Sequence, residues 1–200
     1  MLSLDKMVDD FAKAFNAVDA MRPQGSSRTR IYRPGIGPLT EADAVNRALR
    51  YLQGELQHSI YQDASPKQYP NSRQQCDLLI PDEWAIEFKL LRPFGDNGNE
   101  AEHWSENVLH PYPGNVSSIG DCIKLIESGF SERKAIVVFG YEHSPPQIDI
   151  AIAIDAFEFI AKKVVGIELG ERRSARFGPL IHPVHQQGKV FGWEVVAFIS

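Results

Sequence analysis

Apolar positions recur along the chain with two different periods, and the changes of period mark its elements. Leu4, Met7, Val8, Phe11, Phe15 and Val18 fall at helical spacing and predict an amphipathic helix over residues 3–21. Pro23, Gly25, Ser26, Ser27 and Pro34 then break the pattern and predict a loop to Gly35. Thr40-Glu41-Ala42-Asp43 opens a second helix, because the threonine can cap the first amides and the acids suit the positive end of the dipole. Val45, Leu49, Leu52 and Leu56 carry its inward seam to about residue 58. Four residues before Val45 stands Glu41, an acid on an apolar seam, which calls for a partner.

The period then shortens. Gln75–Ile80 and Trp84–Leu91 read as strands, joined through Pro81-Asp82-Glu83 into a hairpin, with a further strand expected somewhere in residues 59–69. Residues 92–116 form a long loop, a length that usually serves function. Residues 117–129 read as a helix with Ile119, Ile123 and Ile126 inward, leaving Asp121 and Lys124 on its solvated side. Lys134 to Tyr141 is an apolar strand of the buried kind. Ile148, Ile150, Ile152 and Ile154 alternate with smaller or polar residues, which predicts a strand. Asp155-x-x-Glu158 resembles a capping box for a helix to about Val164, and residues 180–200 read as a hairpin turning at Gln187-Gly188. No repeat or linker interrupts this order, so residues 1–200 are expected to form one α/β domain.

Composition adds exclusions. At 43% hydrophobic and 24% charged residues the chain is ordinary globular material, not collagen, coiled coil or disordered polymer. A net charge of −5 argues against an indiscriminate polybasic nucleic-acid binder. Locally the balance differs: Arg22, Arg28, Arg30 and Arg33 stand in the 22–35 loop without an acid among them. Cys76 and Cys122 have no metal-type spacing and read as small buried residues. No apolar run approaches the ~18 residues of a membrane span, and Met1-Leu2-Ser3-Leu4-Asp5-Lys6 lacks the order of a signal peptide, so the expectation is a cytoplasmic protein without membrane contact. His182-x-x-His185 suggests zinc, but no third ligand stands near it in sequence. Nucleophile-elbow, phosphate-loop and dinucleotide-binding motifs do not occur.

Candidate chemistry concentrates on Asp77 and Glu87-Phe88-Lys89. Alternation puts Glu87 and Lys89 on one strand face and Trp84, Ile86, Phe88 and Leu90 on the other. On the preceding strand it groups Asp77 with Leu79, opposite Cys76, Leu78 and Ile80. If the apolar faces coincide, Asp77, Glu87 and Lys89 converge. Adjacent carboxylates repel unless a hard divalent cation sits between them. Mg²⁺, or Mn²⁺ in its place, takes one or two carboxylates and completes its shell with water and phosphate oxygens. The Phe88 carbonyl points toward the same edge as a third metal ligand, Lys89 suits the attacking water, and Glu41 is the fourth acid, with Glu55 its competitor. The plainer alternative is a salt-bridged solvent face with Asp77 at an edge.

Asp77, a gap of nine, then Glu87-x-Lys89, on a hairpin that follows one helix and precedes another helix and a strand, resembles the PD-(D/E)XK nuclease superfamily over about residues 40–142. Cys76 stands where that pattern has proline. The resemblance implies a restriction-endonuclease-like mixed-sheet core in the order α-β-β-β-α-β, here with an added N-terminal helix and C-terminal hairpin. It implies that Asp77 and Glu87 bind Mg²⁺, that Lys89 assists the water, and that Glu41 supports them. The implied activity is hydrolysis of DNA phosphodiesters by an endonuclease of restriction, defence or repair, with a homodimer as the assembly that cuts both strands. Arg28, Arg30, Arg33 and Lys124 are candidate phosphate contacts, and Asn107 and His110, beside Trp104, Tyr112 and Asn115, candidate base contacts. The alternatives are a non-catalytic binding or assembly module and an RNA-directed nuclease.

Overall fold

The computed structural model describes residues 1–26, 31–55, 60–111 and 117–198, with the Glu55 side chain set aside. Arg28, Arg30, Tyr112 and Asn115 therefore lie outside the described residues, as does the choice between Glu41 and Glu55. The first helix, α1 (Leu4–Ala20), is capped by the Ser3 hydroxyl on the Lys6 amide, and α2 (Glu41–Glu55) by the Thr40 hydroxyl on the Asp43 amide. Three antiparallel strands follow: β1 (Ser65–Gln68), β2 (Gln75–Ile80) and β3 (Trp84–Leu91). The long loop holds a short helix, α3 (Glu106–Leu109), and leads to α4 (Ser118–Glu127) and then β4 (Arg133–Glu142), which lies parallel to β3. After β4 come α5 (Ala151–Phe159), a wider π-helical turn over Ile160–Val165, β5 (Ile167–Leu169), β6 (Arg173–Phe177) and β7 (Gln187–Phe198).

The strands make one mixed seven-stranded sheet in the order β1-β2-β3-β4-β7-β5, with β6 also paired to β7. Only β3 and β4 run parallel. Helices cover both faces, so the central strand β3 is buried almost throughout and reads as continuously apolar. On one face α1 and α2 bury Phe11, Phe15 and Leu49 against Leu78, Trp84, Ile86, Phe88 and Phe139. On the other, α4 and α5 bury Ile119, Leu125 and Phe157 against Ala85, Leu91, Ile136 and Trp193. Among the described residues no helix is long and apolar enough to cross a membrane.

Two expected elements differ. The alternating isoleucines form no strand: Ile150, Ala153, Ile154 and Phe157 are buried at helical spacing while Ile152 is exposed. The helix is started by Asp149, whose carboxylate accepts the Ala151 amide at 2.9 Å, and Asp155 and Glu158 instead hold the Arg172 guanidinium. Gln187-Gly188 is not a hairpin turn but the beginning of β7, a single strand that pairs with β4 on one side and with β5 and β6 on the other. The apolar residues at 180–184 anchor a loop, where Leu180 and Val184 are buried beside His182 and His185.

Candidate active site

The hairpin places its acids by coming apart. β2 and β3 are in register from Ile80↔Trp84 to Leu78↔Ile86, where the ladder ends. On the other side of β2, Ser65 pairs with Leu79 but Lys67 with Cys76, so β2 carries one residue more than β1 over this stretch. Such a bulge re-aims side chains. It turns Cys76 onto the face of Ala85 and Leu91, away from Leu78 and Ile80, which corrects the strict alternation expected for this strand. Asp77 is left at the gap, where its Oδ2 accepts the Phe88 N–H at 2.8 Å, in place of a ladder bond. One step along, Glu41 Oε2 accepts the Leu90 N–H at 2.5 Å. The N–H and C=O of a strand residue point to the same side, so the Phe88 carbonyl faces this gap as well.

Glu87 and Lys89 point to the α4 side and are each only 5% exposed. The Tyr69 hydroxyl donates to Glu87 Oε1, and the Glu87 and Asp77 carboxyls lie within hydrogen-bonding reach of each other. Lys89 Nζ pairs with Asp121 Oδ2 at 2.7 Å, and Lys124 Nζ takes the other Asp121 oxygen at 2.7 Å. Glu41, Asp77, Asn46, Pro66, Gln75 and Phe88 line an open cleft of about 230 Å³. Half-buried Asp77 and Glu41 thus border solvent, with Glu87 and Lys89 behind them.

Burial, then the charge of Asp77, pushes the Glu87 carboxyl up to about 9. Burial also raises Glu41 to about 7, against the pull of Lys89 and the Leu90 amide. For Lys89 burial acts downward, but Asp121 and then Glu41 outweigh it and the ammonium ends above its ordinary value. Glu87 therefore keeps a proton beside Asp77 unless another cation takes the proton's place. Among the described residues no group of three His, Cys, Asp or Glu side chains is arranged to hold a metal ion. Two carboxyls in reach of each other, with a carbonyl facing the same gap, nevertheless suit Mg²⁺, which needs only one or two carboxylates and completes its shell with water and substrate oxygens.

Asp77, Glu87, Lys89, Glu41 and Phe88 are thus brought together, and two further residues join them. Asp121 is 2% exposed, on a buried α4 seam with Ser118, Cys122 and Leu125, so the solvated face expected for Asp121 is corrected. Its signal was present in the sequence: residues 118, 121, 122 and 125 fit a helical seam as well as 119, 123 and 126 do. Tyr69 lies just beyond β1 and carried no motif. Lys124 reaches the cluster through Asp121. Asn107 is exposed on α3, while the carbonyl of half-buried His110 accepts the Ser117 hydroxyl at 2.8 Å. Exposed Arg33 stands elsewhere, its amide on Asp96 Oδ1 at 3.2 Å. His182 Nε2 also bonds Asp96, at 2.9 Å, and His185 Nε2 bonds the Phe94 carbonyl at 2.9 Å, and among the described residues no group of three ligands forms around the pair to hold zinc.

The fold and site define an α/β protein with a buried acid–lysine cluster at a split in its sheet. No family model, curated protein or solved structure matches the chain.

Proposed function

We propose that the chain is a Mg²⁺-dependent phosphodiesterase of PD-(D/E)XK type, an endonuclease acting on DNA. The observation that carries this reading is the contact between the Asp77 and Glu87 carboxyls at the opened end of the β2–β3 ladder, with Lys89 held next along the same face. The element order is in keeping with it: α2, three antiparallel strands, α4 and a strand parallel to β3 follow the α-β-β-β-α-β plan of such nucleases.

Asp77, Glu87 and the Phe88 carbonyl would hold the ion. When bound, Mg²⁺ supplies positive charge to the scissile phosphoryl group and lowers the pKa of water. Everything else is work for the chain's own side chains. Tyr69 fixes one Glu87 oxygen and leaves the carboxyl turned toward Asp77. Asp121 keeps Lys89 charged and holds it in place. Lys89 can then donate a hydrogen bond to the attacking water and offset negative charge that grows on the phosphate. Glu41 borders the cleft and receives a proton near neutrality.

The test is cleavage of plasmid DNA in Mg²⁺, expected to stop in EDTA and in the Glu87→Ala protein. Equal cutting by the variant sinks the mechanism. Duplex DNA, single-stranded DNA and RNA compared side by side identify the substrate, and preferred cutting of RNA replaces the DNA assignment while keeping the site.

A further inference from the structure

We propose that the cleft between the end of α1 and the outer face of α2 seats the nucleic-acid strand that flanks the scissile phosphate, with Arg47 and Arg50 on its phosphates and Tyr51 against a base. This rests on the nucleic-acid reading above. The cleft measures about 360 Å³, and Val18, Met21 and Pro23 form its apolar wall. Arg47 and Arg50 are exposed, and neither has an acid partner among the described residues. Three other arginines of the described residues do have acid partners. Arg133 is neutralised by Glu194, Arg172 by Asp155 and Glu158, and Arg173 by Glu171. In a chain of net charge −5, two unpaired guanidiniums on one wall select an anion.

The position of the cleft identifies the anion. α2 presents Glu41 and Asn46 to the candidate active site and Arg47, Arg50 and Tyr51 to this second cleft. Arg50 Nε donates to the Asn46 carbonyl at 3.3 Å, so the last helical residue of the one cleft is bonded to the guanidinium of the other. Four residues along a helix advance about 6 Å and return to nearly the same face, so the clefts, which otherwise flank opposite sides of α2, meet at Asn46 and Arg50 on its exposed face. A strand entering the active site therefore runs over Arg50 and Arg47. The apolar wall and the half-buried Tyr51 ring would be wasted on inorganic phosphate, but they suit a sugar and a base, since aromatic stacking accepts any base.

The experiment is fluorescence anisotropy of a labelled oligonucleotide with the full chain carrying Glu87→Gln, so that the probe is not cut. Adding Arg47→Ala with Arg50→Ala is expected to weaken binding roughly tenfold and to lower the slope of log K against log salt by about 1–2. Lys162→Ala with Lys163→Ala, beyond α5, is the control and should change neither. Tyr51→Ala should weaken a normal oligonucleotide but not one abasic at the flanking positions. Both arginines are at the surface, so the melting temperature should hold and show that the variant is folded. Binding that persists with affinity and salt slope unchanged in the arginine variant overturns this inference alone. No binding by the parent Glu87→Gln chain overturns the nucleic-acid reading as well.

Discussion

Near the end of α1, Asp19 is 2% exposed, yet both of its oxygens are taken by backbone amides, Ile36 at 2.9 Å and Ile181 at 2.8 Å. Beside it Asp96 accepts from the Arg33 amide and bonds His182. These acids stitch the 31–36, 94–96 and 180–185 segments together, and their neighbours meet most of their hydrogen-bonding needs. Among the described residues His185 Nδ1, the Tyr141 hydroxyl beside it and His143 Nδ1 are buried without a hydrogen-bond partner. At the β2–β3 edge the acids are arranged otherwise. Asp77 gives one oxygen to an amide and faces Glu87, an acid against an acid. A buried acid bonded to amides is structure; a buried acid that meets another acid costs stability unless a proton or a cation joins them. The first kind keeps loops in place. The second keeps its proton at the cost of stability once the pH rises.

The sharpest way to break that contrast is Glu87→Gln. Folded Glu87 holds its proton to about pH 9, whereas the unfolded chain releases it near 4.5. Stability from this group is thus whole below 4.5 and is lost as pH rises toward 9. Glutamine cannot ionise, so the variant should melt higher than the parent at pH 8 in EDTA while Mg²⁺-dependent cleavage falls roughly 10²–10³-fold. A variant that melts lower and still cuts would put Glu87 among the structural acids.

The histidine region should show the opposite slope. Burial pulls His185 down to about 4, while the unfolded chain protonates it near 6.5. Between those values the unfolded state binds the extra proton, so stability is whole above 6.5 and is lost as pH falls toward 4. His182, lowered by burial against the opposing Asp96, acts in the same direction. The loss from His185 comes to roughly 3 kcal/mol, or about 6–12 °C in melting temperature. His185→Gln should flatten the slope between pH 6.5 and 4, whatever its own cost. A melting temperature independent of pH over that range would mean that the ring is already charged in the fold.

These regions also differ in how much of them could be read from the sequence. Asp77, Glu87 and Lys89 were legible because an ionisable residue amid Trp84, Ile86, Phe88 and Leu90 has few structural uses, and strand alternation places it. The gap that joins Asp77 to the others was not legible, because it comes from a bulge, and a bulge depends on a register that one strand does not reveal. The run of isoleucines from 148 to 154 fits either period, and the joint burial of Ile150, Ala153, Ile154 and Phe157 goes with a helix. Asp121 was misplaced because Ile119, Ile123 and Ile126 make the more apolar seam of α4, and what buries the neighbouring seam of Ser118, Asp121, Cys122 and Leu125 is packing that includes the Lys89 ion pair.

Asp121 therefore sharpens the comparison from inside the site. Among the described residues its carboxylate pairs with two ammonium groups and accepts no amide, so it serves Lys89 rather than the backbone. Asp121→Asn keeps the shape and removes the charge that holds Lys89. Cleavage at saturating Mg²⁺ should fall about 10–100-fold, as for other residues that orient an active group, with the fold retained by circular dichroism. A rate unchanged from the parent would make Asp121 a structural partner of the two lysines and nothing more.

The smallest effect separates neighbouring residues of a single turn. Thr40 caps α2 through its hydroxyl on the Asp43 amide at 3.2 Å, while Glu41 leaves the helix to meet Leu90 across the gap. Thr40→Ala removes only a cap and should cost about 1 kcal/mol, or some 2–4 °C, with cleavage nearly unchanged. Glu41→Gln retains an acceptor for the Leu90 amide and should leave the melting temperature close to the parent's. It removes the carboxylate that borders the cleft, so cleavage should fall and the loss should survive saturation with substrate. If instead the two substitutions act alike, lowering stability and rate together, then Glu41 is part of the helix start and Asp77 and Glu87 alone are the acids of the gap.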